Sequence, residues 1–188
     1  MARPRSEDKR DAIVAAAIEV IAAQGLSAPT ATIAKAAGVA TGSLFLYFQT
    51  KTDLLNAVYV ALKSEMAVAV LDGVHAKDDV REQLFLAWSN WLQWATSFPE
   101  KRRALAHLGV SDEVTPQSRQ AGHQAMAGAA EILERSRSGG PMRDAPLGFV
   151  AALMNALAEA TIDFIISDPA HADRHRIAGF DAMWRMFT

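Results

Sequence analysis

The five histidines and the clustered tryptophans are the side chains of this 188-residue, cysteine-free chain with most chemistry to offer. His171 and His175 are one helical turn apart, with Asp168 and Asp173 nearby, a spacing able to bring imidazoles and a carboxylate to one metal ion. The stretch lacks the Glu of a His-Glu-x-x-His helix and directly follows Asp168-Pro169, so it is read as a solvated first turn and no metal is expected. His107 and His123 fall in separate predicted helices, where a histidine near apolar neighbours is more often a satisfied structural residue than a reactive one. No nucleophile elbow, P-loop or dinucleotide fingerprint occurs. No catalytic residue and no cofactor are therefore expected. A small all-α enzyme or ligand carrier working through these histidines is the alternative reading, not the first.

A second set of residues has binding chemistry. Between residues 30 and 55 the sequence reads as two short helices, a tight turn and the start of a third. Ile33, Ala34 and Ala37 share one face of the first, and Gly38 supplies the positive φ of a sharp corner. Leu44 and Phe48, spaced i and i+4, are the buried side of the second. Left outward are Thr41, Gly42, Ser43, Phe45, Leu46 and, at the edge, Tyr47, with no acid among them, a surface suited to a major groove. Thr30, Thr32 and Lys35 are candidates for phosphate contact. Thr50 and Asp53 have the spacing of a capping box with Asp in place of Glu. That places Lys51 in the first turn of a helix, where the macrodipole disfavours a cation and a nearby phosphate would compensate.

The elements that must hold these residues are all helices. Apolar spacing and breakers predict helices over 9–24, over the two short segments just described, and over 54–72, 78–97, 100–110, 116–138, 148–167 and 171–187, with a mobile arm over residues 1–8. Gly25 is a natural C′ residue for the first, Ser27 a cap for the second, and Pro29 a first-turn residue. Trp88, Trp91 and Trp94 recur every third residue, stepping about 60° backwards each time on a helix, so they cannot all face one core line. One or two suit an apolar wall with Phe85, Phe98 and Met126 or Phe164, and core packing is the equal alternative for any single Trp. Asn155 and Glu159 are i,i+4 on an otherwise apolar helix and need partners if buried, from a ligand or a second subunit.

Composition narrows the class. An apolar share of 51% excludes a disordered polymer. The formal net charge of −2 requires any basic footprint to be local, and residues 1–53 hold 6 Lys and Arg against 5 Asp and Glu. Glu7, Asp8, Asp11 and Glu19 argue against a signal peptide at the basic N-terminus. No apolar run of the ~18 residues of a membrane span is expected, so a cytoplasmic protein with no membrane partner is the reading.

The stretch Ile33-Ala34-x-x-Ala37-Gly38-Val39, Gly42-x-Leu44-Phe45-x-Tyr47-Phe48, Lys51 and Leu54-Leu55 closely resembles the helix-turn-helix of TetR-type transcriptional regulators, a resemblance covering roughly residues 8 to 60. It departs from the family pattern in Ala40, where a capping Ser is frequent, in Phe45, where Tyr is usual, and in a spacing from Gly25 to Ile33 one residue short. The resemblance implies an all-α fold with an N-terminal three-helix DNA-binding domain over 1–53 and a helical effector-binding and dimerisation domain over 54–188. It implies DNA contact by Thr30, Thr32, Lys35, Thr41, Gly42, Ser43, Phe45, Tyr47 and Lys51. For the body it implies a small apolar or aromatic effector, met by Trp88, Trp91, Trp94, Phe98, His107, His123, Met126, Asn155, Glu159 and Phe164. Its last two helices would form a four-helix homodimer interface, which places two reading helices on a pseudo-palindromic double-stranded operator. The function expected is a repressor released from that operator by its effector.

Overall fold

Every segment with helical apolar spacing forms a helix in the computed structural model, which describes residues 5–187 and their side chains from Glu7 onward. The order is α1 (Arg5–Gln24), α2 (Thr30–Ala36), α3 (Thr41–Tyr47), α4 (Lys51–Val70), α5 (Val80–Ser97), α6 (Pro99–Gly109), α7 (Pro116–Ala125), α8 (Ala127–Arg137), α9 (Leu147–Ser167) and α10 (Ala172–Phe187). No strand occurs among the described residues. Two boundaries differ from expectation. Of the arm predicted over 1–8, residues 1–4 lie outside the described residues and residues 5–8 already belong to α1. The single helix predicted over 116–138 breaks at Met126 (φ −87°, ψ 7°) into α7 and α8, where Gly122 and Gly128 on either side weaken helix propensity.

The chain divides into two compact units. The first comprises residues 1–64 and 98–124, so it takes in α1 to α3, most of α4, α6 and α7. Ile13, Ala17, Ile21, Ile33, Leu44, Leu54, Leu55, Val58 and Leu62 share its core with Ala104, Leu108 and Val114 from much later in the sequence. A boundary at 53/54, drawn where the helix-turn-helix motif ends, passes through this core. α6 supplies the face against which α1 packs. Fully burying each of the larger aliphatic side chains contributes about 1.5–3 kcal/mol against conformational entropy.

The second unit comprises residues 65–97 and 125–188. Here α5 packs against α8, α9 and α10, and α9 against α10. Trp88 is 1% exposed and donates its indole N–H to the Arg176 carbonyl at 3.1 Å. Arg137, buried at the end of α8, donates to the carbonyls of Met142, Arg143 and Ala145 and pairs with Glu134, which fastens the Gly-Pro loop ahead of α9. By length and composition alone α9 is long and apolar enough to cross a membrane, although it holds no uninterrupted apolar run of that length. Glu159 and Asp163 interrupt it, and an acid near the centre of a span is costly. Phe149 near its start and Phe164 and Ile166 near its end are all more than half exposed.

Candidate nucleic-acid interface

The corner between α2 and α3 is made by backbone geometry that only its sequence permits. Gly38 adopts φ 68°, its N–H bonds to the Lys35 carbonyl at 3.1 Å, and the Val39 N–H reaches the Ala34 carbonyl at 2.9 Å. This pair of bonds closes α2 in a Schellman motif and turns the chain into α3. Gly25 ends α1 in the same left-handed conformation, with φ 73°. Ile33 and Ala34 from α2 and Leu44 from α3 are buried together, followed by Phe48, and Arg10 of α1 lies over the Phe48 ring at 5.2 Å.

Burying Leu44 and Phe48 turns the rest of α3 outward. Thr41, Gly42, Phe45 and Leu46 are exposed, while Ser43 and Tyr47 are half-buried. No charged residue stands between Lys35 and Lys51. The cap expected from Ser27 is not made, and at α3 the backbone serves in place of a capping side chain. Pro29 occupies the cap position of α2 instead of its first turn, without a side-chain hydrogen bond from Ser27, and Ala40 caps α3 through its carbonyl, which accepts from the Ser43 and Leu44 N–H groups. Thr30 and Thr32 are half-buried along α2, and Lys35 is exposed in its last turn.

The start of α4 is built as its sequence predicts. The Asp53 N–H donates to Thr50 Oγ1 at 3.0 Å, and the Thr50 N–H donates to Asp53 Oδ2 at 2.9 Å, a reciprocal capping box. Lys51 is half-buried in that first turn. A group of residues absent from the expected site holds the turn from behind. Asn56 donates to the carbonyls of Thr52 and Glu113, and its own oxygen accepts from the Thr115 N–H and hydroxyl. Thr52 donates to the Glu113 carboxylate. Arg119 of α7 donates to the carbonyls of Gly109 and Ser111. The α6–α7 loop is thereby clasped to α4 one residue from Lys51. The sequence signal for this clasp was a lone Asn among apolar helix residues, which leaves its distant partners unspecified.

The residues expected to meet an effector are divided between the units. Phe98, His107 and His123 are in the first, all exposed, and Lys101 Nζ lies 4.4 Å over the Phe98 ring. In the second, Trp88 and Trp94 are buried, and the Trp94 indole N–H donates to Glu65 Oε1 at 3.0 Å. Trp91, Met126 and Glu159 are half-buried, while Asn155 and Phe164 are exposed. Trp88 and Trp91 meet edge to face at 6.3 Å, so the triplet does fan across different directions. His171 Nδ1 lies 3.0 Å from both oxygens of Asp168, and His175 Nε2 lies 3.0 Å from one. The hydrogen bonds from His175 and His171 hold the Asp168 carboxyl below its ordinary range. Among the described residues no group of three or more potential ligands is arranged for a metal ion.

A short outward helix set by a glycine corner, braced by α1 and followed by a capped third helix, is the arrangement of a helix-turn-helix DNA-binding protein. The model of the tetR family of bacterial regulatory proteins matches residues 13–58. A structure from Shewanella sp. PV-4 assigned to the TetR family of transcription regulators superposes with a TM-score of 0.83 at 28% identity, over 94% of this chain and 96% of that one. The fatty acid metabolism regulator protein of Bacillus subtilis (strain 168) is 35% identical over 78 residues, a match spanning 41% of this chain and only 40% of that relative's length. The transcriptional regulator FadR from Bacillus subtilis, solved in complex with stearoyl-CoA, has a TM-score of 0.68 at 20% identity, over 94% of this chain and 96% of that one. Residues 13–58 thus carry the helix-turn-helix of the TetR family of bacterial regulatory proteins, and the whole chain shares the fold of a regulator assigned to that family.

Proposed function

We propose that this chain is a cytoplasmic, ligand-responsive transcriptional repressor that binds a pseudo-palindromic operator as a homodimer and is released by an apolar effector. The observation that carries the reading is the α2–α3 corner: it turns an uncharged, largely exposed helix face outward and sets Lys51 in the helix start that follows. Thr41, Gly42, Ser43, Phe45 and Tyr47 serve as the groove-facing set. Thr30, Thr32, Lys35 and Lys51 serve as phosphate contacts, which supply most of the affinity and make it salt-dependent.

The dimer reading is supported by Phe149, Phe164 and Ile166 of α9 and Ile177 of α10, large hydrophobic side chains that stand exposed on the chain by itself. The effector reading is supported by the second unit, where Trp91, Met126 and Glu159 have the partial exposure that a ligand-lining residue needs. The likeness to a regulator that binds stearoyl-CoA extends the effector class to molecules with a long acyl chain. No observation favours an enzyme working through His107 and His123, both of which are exposed.

The test is retention on random-sequence duplex DNA as salt is raised. A repressor of this kind binds at low salt despite its net charge and is released steeply, and Lys51→Ala weakens binding to every sequence while flattening the salt dependence by about one unit of slope. Absence of low-salt binding would exclude the reading.

A further inference from the structure

Leu46 is 84% exposed, although it stands at the centre of the outward face of α3. Phe45 beside it is 41% exposed. The protein hides Leu44 and Phe48 from the same helix completely, so it has not buried Leu46 by choice of register. An aliphatic side chain exposed at the middle of the proposed binding face is free to meet an apolar group outside the molecule.

The surroundings specify that partner. Reading guanine in the major groove takes a bidentate Arg or Lys, and reading adenine takes Asn or Gln. From residue 36 to 50 there is no Arg, Lys or Asn, and the one amide, Gln49, lies past the end of the helix. One turn before Leu46 stands Gly42, exposed, with an ordinary negative φ and open space where a Cβ would be. Nothing inside the protein requires glycine there, and glycine is the poorest helix former after proline. What a missing side chain does provide at an exposed site is a notch through which the helix backbone can come close to another surface. A close-approaching helix with leucine and phenylalanine at its centre is equipped to touch the C5 methyl of thymine, the one apolar group on a base edge in the major groove.

We infer that Leu46, seconded by Phe45, is a specificity-determining residue that reads thymine methyl groups in each half-site. The inference rests on the DNA-binding reading above and deepens it by naming the base. A different apolar occupant of this face, such as another protein, is an outcome that the test reveals.

The test uses the full chain and single-methyl changes in DNA. Duplexes bound from a random pool define the half-site, and each thymine in it is then replaced by deoxyuridine, which removes the methyl and leaves the pairing edge unchanged. Binding should weaken about fourfold for each methyl that Leu46 contacts, as expected for one buried methyl group. Leu46→Ala should lose the discrimination at the methyls that Leu46 contacts, so that thymine and deoxyuridine bind alike at those positions, while discrimination at any methyl met by Phe45 persists. Because Leu46 is exposed, circular dichroism and melting of this variant should match wild type. Three results overturn the inference alone: a selected half-site without thymine, no loss on any deoxyuridine replacement, or methyl discrimination in Leu46→Ala that equals wild type at every thymine. Failure to bind any duplex overturns the DNA-binding reading and this inference with it.

Discussion

At the scale of single residues, Gly42 separates what the fold requires from what the proposed interface requires. In a helix interior, glycine is about 1 kcal/mol less favourable than alanine, chiefly through backbone entropy. At Gly38, just past the end of α2, glycine has a structural reason, since φ 68° is strained for a side chain; at Gly42, in the first turn of α3, it has none, because φ is ordinary and nothing lies within 4 Å of an added Cβ. Gly42→Ala should therefore raise the stability of the chain by up to about 1 kcal/mol in denaturant melts while weakening DNA binding. Opposite signs from one methyl group are the signature of a residue kept for close approach. A variant that gains stability and binds DNA as wild type would remove Gly42 from the interface. Lys63, half-buried on α4 one turn from Tyr59, has its pKa pushed below its ordinary value by burial, which also pushes the Tyr59 phenol up.

At the scale of elements, the first turn of α4 is held from two sides. The capping box was legible because Thr50 and Asp53 are three apart and the bond between them is local. The clasp from Asn56 to Glu113 and Thr115 was not, because it joins residues 57 and 59 positions apart and depends on how α6 returns to pack against α1. The same division runs through the fold. Helix existence, the glycine corner and the buried pairs Ile33–Ala34 and Leu44–Phe48 all follow from period and local backbone preference. The membership of α6 in the core of the first unit does not, since tertiary packing selects among apolar faces that look alike in sequence. The tryptophan triplet illustrates the limit from the other side: its angular spread is a matter of helix geometry, but which indoles find a carbonyl or a carboxylate is decided by Arg176 and Glu65, far away in the chain. Asn56→Ala strands the Thr115 N–H and frees the loop. It should lower stability by about 1–3 kcal/mol and reduce affinity for all duplex sequences, because Lys51 shares the turn that loosens. Glu113→Gln keeps the backbone carbonyl and an acceptor for Thr52, and should resemble wild type in both measurements. If Asn56→Ala melts as wild type, the clasp contributes nothing to the turn.

At the scale of the whole molecule, the unbalanced feature is α9. Its 21 residues are apolar by composition, yet only 17% of the most apolar window is buried within the chain. The helix carries Val150, Ala158 and Ile162 inward, and Phe149, Phe164 and Ile166 outward. In the proposed dimer this surface would meet its own copy across a two-fold axis, as an isologous interface requires. A dimer is also what a small reading head needs, since a single uncharged helix offers few base contacts and symmetric pairing doubles them on a palindrome. Phe164, an expected wall of the effector pocket, is 61% exposed with the His175 ring 5.7 Å from its own, and in the proposed dimer a partner helix would cover it. Phe164→Glu puts a carboxylate on that face, and burying it without a partner would cost several kcal/mol. Sedimentation velocity should then show wild-type dimers and Phe164→Glu monomers, with the variant retaining its helical content. Its operator affinity should fall far more than its affinity for random duplex, because the half-sites are then bound independently. Wild-type protein that sediments as a monomer at micromolar concentration, or a Phe164→Glu dimer as tight as wild type, would show that α9 faces something other than its own copy.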